Sequence, residues 1–329
     1  MSEFLEKMES FSLHQKTKTK LDFIGISILL EGFSGLRWRY REEKKDYSRW
    51  EGQLIACFRM FLEGLFSSDK NKTLRVDAAK LLSLSLEDLE NGLQSGDNNP
   101  LIGLEQRLQT LVQLGGILKK NPTLFGSENP RFGNILHFFL EQASCHNNSL
   151  SCQEIFQTLQ KCLRGLWPGA VEMAGVNLGD TWIYPPFGTG KEALIPFHRH
   201  SQWLCFSFLE PLVENGLFMT NSKELTGLAD FRNGGMMLDS GLLEFKDPHL
   251  KQKIHHIDDG VIVEWRALTL VLLDELAPLV AEKLGKSPLE FPLAKVLEGG
   301  IWWAAKILAQ KLREDASPPL KIAHNGFLF

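Results

Sequence analysis

Two acidic side chains and two arginines stand where their neighbours are apolar. Asp230 and Arg232 lie two apart within Leu225 to Leu243, LTGLADFRNGGMMLDSGLL, and Glu264 and Arg266 lie two apart in VEWR, near the start of an apolar run. A charge in such company is paired or kept in water, because burying it alone is costly. For Asp230 two readings stand: a structural ion pair or helix cap, or a desolvated carboxylate in a pocket. In the second, Gly234 and Gly235 let a ligand approach the backbone. Residues two apart on a helix diverge by about 200°. Glu264 and Arg266 therefore cannot face one point, and at least one needs a partner from another segment, such as Arg232 or Asp230. Two acid–arginine pairs in one apolar core suggest a polar site at the centre of a helical bundle.

The segment PFHRHSQW reads as a polar helix start leading into an aromatic face. His198, Arg199, His200 and Gln202 are expected to face a ligand, with Trp203 and Phe206 packing. Asp180 and Trp182, in GDTW, end a glycine-containing turn and point the same way. A further candidate, Glu31, follows an apolar helix and precedes an aromatic–basic cluster, Arg37-Trp38-Arg39-Tyr40. A solvated, charged surface with snorkelling arginines is its plain alternative. No metal or other cofactor is expected. His198 and His200, and the pair His255–His256, lack the third ligand, HExxH spacing or cysteine pair that a metal site needs. GTGK at Gly188 to Lys191 is not a phosphate loop, since Pro185 and Glu192 stand where a Gly and a Ser or Thr are required. It reads as a flexible loop.

Helices are needed to position these groups. Leu104, Leu108, Leu111, Leu114 and Leu118 recur on one helix face. The stretch from Asp77 to Leu93 carries a similar pattern, and Val261 to Leu284 is apolar nearly all round, as in a helix buried inside a bundle. Long period-2 patterns are scarce, so the fold class is all-α. Turn clusters fall at Ser95–Pro100, Asn121–Phe132, His146–Ser151 and Pro185–Gly190. None is long enough to be a linker. The chain reads as an extension over 1–20 and a single α-helical catalytic domain over 21–329, or two lobes meeting near 165–195. A tail from Leu320 to Phe329 is expected as a short strand or hairpin.

Composition excludes several classes. With 36 basic and 40 acidic side chains the net charge is -4, so there is no field for broad nucleic-acid binding. No apolar run is long enough to span a membrane, and MSEFLEKMES is no secretory leader. Five cysteines without paired spacing fit reduced thiols and a cytoplasmic setting.

The segments SILLEGFSGLRWRY, NLGDTW, LIPFHRHSQWLCFSFLEPL, LTGLADFRNGGMMLDSGLLEFKD, VEWRALTLVLLDELA and PLAKVLEGGIWWAA, in this order, resemble the uracil catabolism protein 4 family. Departures are Asp230 where Glu is expected in EYRNGG, Arg199 and His200 where Lys and Leu are expected, and an N-terminal Arg- and His-containing motif that is not found. A weaker resemblance is to the queuosine salvage nucleotide N-glycohydrolases. It is carried by Asp180 and Trp182, His198 to Gln202, Ala229 to Arg232, and Glu264 to Arg266. That family is helical and resembles DNA glycosylases in fold. Together the resemblances imply an N-ribosyl hydrolase acting on a small ribosylated or nucleotide substrate, such as ribosylurea 5-phosphate, and releasing urea and ribose 5-phosphate. They imply Asp230 beside the sugar cation, Glu264 (or Glu31) on ribose hydroxyls, and Arg199, Arg232 or Arg266 on phosphate. His198 or Asp180 would protonate the leaving nitrogen, and Trp182 and Trp203 would wall the pocket. The alternatives are an amidohydrolase acting on a ureido group, or a non-catalytic nucleotide-binding or scaffold protein.

Overall fold

The computed structural model describes residues 2–323 apart from Pro168 and Ala170. The chain is mainly α-helical, as its leucine spacing predicts. The longer helices are α1 (Leu13–Leu30), α2 (Arg49–Leu62), α3 (Leu104–Lys120), α4 (Ile135–Ser144), α5 (Cys152–Leu163), α6 (Arg199–Glu214), α7 (Phe231–Asp239), α8 (Gly260–Lys283) and α9 (Trp302–Leu312). They group into two compact units. One comprises 2–166 with Leu204–Thr220, the other Trp167–Trp203 with 221–323. No helix among the described residues is long and apolar enough to cross a membrane.

In the first unit, α1 begins at a capping box. The Ser12 hydroxyl accepts from the Gln15 N–H, and the Gln15 side chain accepts from the Ser12 N–H. Its C-terminal carbonyl is met from α3: Arg107 Nε donates to the Leu30 oxygen at 2.8 Å, and Nη1 donates to those of Ile102 and Gly103. Arg107 is buried; burial pulls its guanidinium down to about 10, against the upward push of Glu31. Leu111, Leu114 and Leu118 line the buried side of α3. The Asp77–Leu93 pattern forms two short helices, Ala78–Leu82 and Leu86–Gly92, instead of one. Asp77 caps the first, and Ser85 opens the second with a capping box, so the backbone restarts between them. The end of the expected polar loop at 146–151 is a strand: Ser149–Ser151 pairs in parallel with Phe218–Thr220.

The second unit is built around α8. Thr181–Ile183 pairs antiparallel with Leu194–Pro196, and the loop between them carries the Pro185–Phe187 turn and Gly188 in the left-handed region. Trp182, Phe197, Ala229 and Val263 form one core cluster, and Ile262, Trp265 and Leu320 another. α7 lies against α8 through Gly234, where a Cβ would come within 2.6 Å of the Trp265 ring. The Trp265 indole N–H donates to the Gly234 oxygen at 3.0 Å. The expected tail strand begins at Lys321–Ile322, which pairs in parallel with Ile254–His255. The rest of that tail lies outside the described residues.

Candidate active site

The second unit brings Asp180, Arg199, Asp230 and Arg266 together. Arg266 arrives from α8. Glu264, about 200° round the helix, is exposed, whereas Arg266 is 1% exposed. The Arg266 fork goes to Asp180, which is neither of the expected partners, while Asp230 acts on the guanidinium through its charge. Its Nη1 and Nη2 donate to Asp180 Oδ1 and Oδ2, each at 2.8 Å, and its Nε donates to the Ala229 oxygen at 3.1 Å. The Phe197 ring lies 4.0 Å below the guanidinium carbon.

Asp180 follows Gly179, whose positive φ makes the turn before the strand. The Trp182 indole N–H donates to Oδ1 at 2.8 Å, and the Arg199 backbone N–H donates to Oδ2 at 3.1 Å. Burial pushes this carboxyl up. The charge and fork of Arg266, with Trp182 and the Arg199 amide, outweigh burial and hold it well below the usual carboxylate range. An acid fixed in its ionised form has no proton to give. Asp180, Trp182 and Arg266 therefore make a buried hydrogen-bonded hub, with Trp182 in the core cluster.

The chain turns into α6 through His198, whose φ of 48° is a left-handed value uncommon outside glycine. His198 is half-buried, and its N–H donates to the Asp180 oxygen at 3.3 Å. Burial lowers its imidazole pKa, Asp180 partly restores it, and Arg266 lowers it again. His200 is fully enclosed. Its ring stacks on Trp167 at 4.8 Å and 11°, and Arg199 Nη1 lies 3.1 Å from its Nε2. Since a guanidinium only donates, Nε2 accepts and the proton sits on Nδ1. Burial first, then the Arg199 charge, keep this imidazole neutral well below its ordinary 6.5.

Asp230 is the N-cap of α7. Its Oδ1 accepts from the N–H groups of Arg232 and Asn233 at 3.0 and 2.7 Å. Its Oδ2 makes no hydrogen bond among the described residues and lies 3.9 Å from Arg199 Nε. Arg199 in turn lies over Trp203, 5.0 Å from the ring centre. Gln202, one turn along α6, is 6% exposed, and its Oε1 is buried without a hydrogen-bond partner among the described residues. Arg232 points elsewhere: its guanidinium lies 4.6 Å from the Trp302 ring centre and 5.7 Å from that of Phe231.

Glu264 accepts a hydrogen bond from the Tyr184 hydroxyl, whose pKa burial and then that carboxylate raise. Glu31 belongs to the first unit, where it sits beside Arg107. Trp167 and Tyr184 had no signal in the sequence, since neither occupies a spacing that marks a site. Among the described residues no group of three or more His, Cys, Asp or Glu side chains converges as a metal-ligand set.

Comparison with known proteins places the chain in a family. Residues 1–329 match the family described as "Protein of unknown function (DUF1688)". The chain is similar to Uracil catabolism protein 4 of Lachancea kluyveri, 32% identical over 339 residues that cover 94% of this chain and 76% of the relative. It is also similar to Protein urg3 of Schizosaccharomyces pombe, 36% identical over 318 residues that cover 95% of this chain and 75% of the relative.

Proposed function

The chain belongs to the DUF1688 family, and on that premise we propose that it acts in uracil catabolism as an N-ribosyl hydrolase. Its substrate is a ring-opened uracil nucleotide such as ribosylurea 5-phosphate. One observation carries the reading: the Asp230 carboxylate is 6% exposed, with Oδ1 fixed by the start of α7 and Oδ2 left without a hydrogen bond among the described residues. An oriented carboxylate, largely buried and with one oxygen turned away from the helix cap, suits an N-glycosidic bond, whose cleavage develops positive charge on the sugar ring.

In the proposed reaction the C1′–N bond breaks and its electron pair leaves with the nitrogen. Water bonds to C1′ and gives a proton to Asp230 Oδ2. The departing nitrogen takes a proton from His198, because the alternative acid, Asp180, is locked as the carboxylate. The products are urea and ribose 5-phosphate. Arg199, held by His200 and Trp203, stands beside Asp230 to orient it. Arg232, outside the Asp180 hub, is the phosphate-binding candidate, and Glu264, set by Tyr184, is the candidate for ribose hydroxyls.

The test is incubation of the purified protein with ribosylurea 5-phosphate, and separately with UMP, while urea and reducing sugar are assayed. Release of urea and ribose 5-phosphate together from the first supports the reading. Ammonia or carbon dioxide instead would replace it with an amidohydrolase. A second reading, a nucleotide-binding protein without turnover, draws on the helix cap: Asp230 serves the fold in that role with or without chemistry. Binding of either compound without product would select it.

A further inference from the structure

Gln202 presents a polar atom that the fold does not use. Its side chain is 6% exposed, and Oε1 is buried without a hydrogen-bond partner among the described residues. A buried acceptor left unmade is costly, so each such group calls for a reason. Its position supplies one. The Gln202 N–H donates to the His198 oxygen at 3.0 Å, which places Gln202 in the first turn of α6. Residues three and four apart share a helix face, so Gln202 and Trp203 lie on the side of α6 that carries Arg199. Arg199 Nε is 3.9 Å from Asp230 Oδ2. The unmet acceptor thus belongs to the face that looks onto the candidate catalytic carboxylate.

We infer that Gln202 is the specificity determinant for the leaving group: its Oε1 accepts from the terminal NH₂ of a ureido leaving group. This inference rests on the glycohydrolase reading for the identity of that group. The chemistry is complementary. A carboxamide carries a C=O acceptor beside an NH₂ donor, and a ureido end carries an NH₂ donor beside a C=O acceptor. The two edges pair through two parallel hydrogen bonds. A ureido end dialkylated at its terminal nitrogen has no N–H there to give.

The test compares ribosylurea 5-phosphate with its N′,N′-dimethyl analogue, by calorimetric binding and by turnover, in the wild type, Gln202→Leu and Gln202→Glu. The wild type is expected to bind the dimethyl compound about tenfold or more weakly, the scale of one unpaired buried polar group. Gln202→Leu should lose that discrimination by weakening binding of the parent compound. Its thermal midpoint should hold or rise, because a buried unmet acceptor is removed. Gln202→Glu, which keeps an acceptor, should retain part of the preference.

Equal affinity for the two ligands in the wild type, or preference retained in Gln202→Leu, overturns the inference. A large fall in the thermal midpoint of Gln202→Leu also overturns it, since the amide would then be holding the fold. Preference without turnover in the wild type keeps Gln202 as the contact for the ureido end and overturns the glycohydrolase reading. Turnover of both compounds at equal kcat/KM does the reverse. Binding of neither compound overturns both.

Discussion

Arg266 and Asp180 are joined by two parallel hydrogen bonds of 2.8 Å each, between side chains that are 1% and 4% exposed. A pair this buried is held by what its loss would leave behind. Arg266→Met strands the Asp180 carboxylate among Trp182, Phe197 and Val263. It is expected to cost about 3–5 kcal/mol of stability in denaturant unfolding. Adding Asp180→Asn removes the stranded charge and should recover a large part of the loss. Losses that simply add in the double variant would show that the two side chains are not coupled.

Asp230 separates fold from chemistry by substitution. Asparagine caps helices about as well as aspartate, so Asp230→Asn should keep stability within about 1 kcal/mol of the wild type while abolishing release of urea. Asp230→Ala removes the cap as well and should cost about 0.5–2 kcal/mol. Normal turnover by Asp230→Asn would remove this residue from the mechanism.

His198 gives the reaction a pH signature. Burial lowers its pKa from the ordinary 6.5, and Arg266 adds to the shift against Asp180. As the acid it must carry a proton, so kcat should fall tenfold per pH unit above that lowered value. Asparagine tolerates the left-handed backbone. His198→Asn should therefore fold, lose about 10²- to 10⁴-fold in kcat, and show no such alkaline limb. A pH–rate profile of both proteins decides it; the same limb in the variant would assign the proton to another group.

His200 should make the fold sensitive to mild acid. In the unfolded chain it takes a proton near 6.5, while in the folded protein burial and Arg199 resist that proton. The unfolded state then binds more protons, so the stability is complete above 6.5 and is lost as pH falls below it. One such group contributes a slope of up to about 1.4 kcal/mol per pH unit. His14, His137 and His198 are lowered in the same direction. Asp22, whose buried carboxyl is raised from 3.8, acts with the opposite sign. All four are shared with His200→Gln, whose thermal midpoint should fall less steeply from pH 6.5 to about 5. Equal slopes would exclude His200 as the source.

The helical class was legible because leucines at three- and four-residue spacing fix a face whatever the partner. That Glu264 or Arg266 must find a partner in another segment was legible too, since two residues along a helix point apart. That Arg266 pairs with Asp180 was not, because the two are 86 positions apart and only the packing of the strand against α8 brings them together. The same holds for His200 on Trp167. The split of Asp77–Leu93 was present in Ser85 and Asp88, a capping pair that outweighs the leucine pattern around it. The short strands were missed because two to four residues carry too few alternations to register. Asp230 left two readings open from sequence, and it does cap α7.

The buried quartet has an electrostatic consequence for whatever enters beside it. Arg199 and Arg266 bring two positive charges, Asp180 and Asp230 bring two negative ones, and the enclosed His200 imidazole is neutral near pH 7. The cluster as a whole therefore projects almost no net field. An anionic ligand is not drawn inward by it, and its phosphate has to find its counter-charge elsewhere, as at Arg232 on its aromatic shelf. Recognition near Asp230 falls to shape and hydrogen-bond direction, which ionic strength barely touches, and any strong salt dependence of KM belongs to the phosphate end.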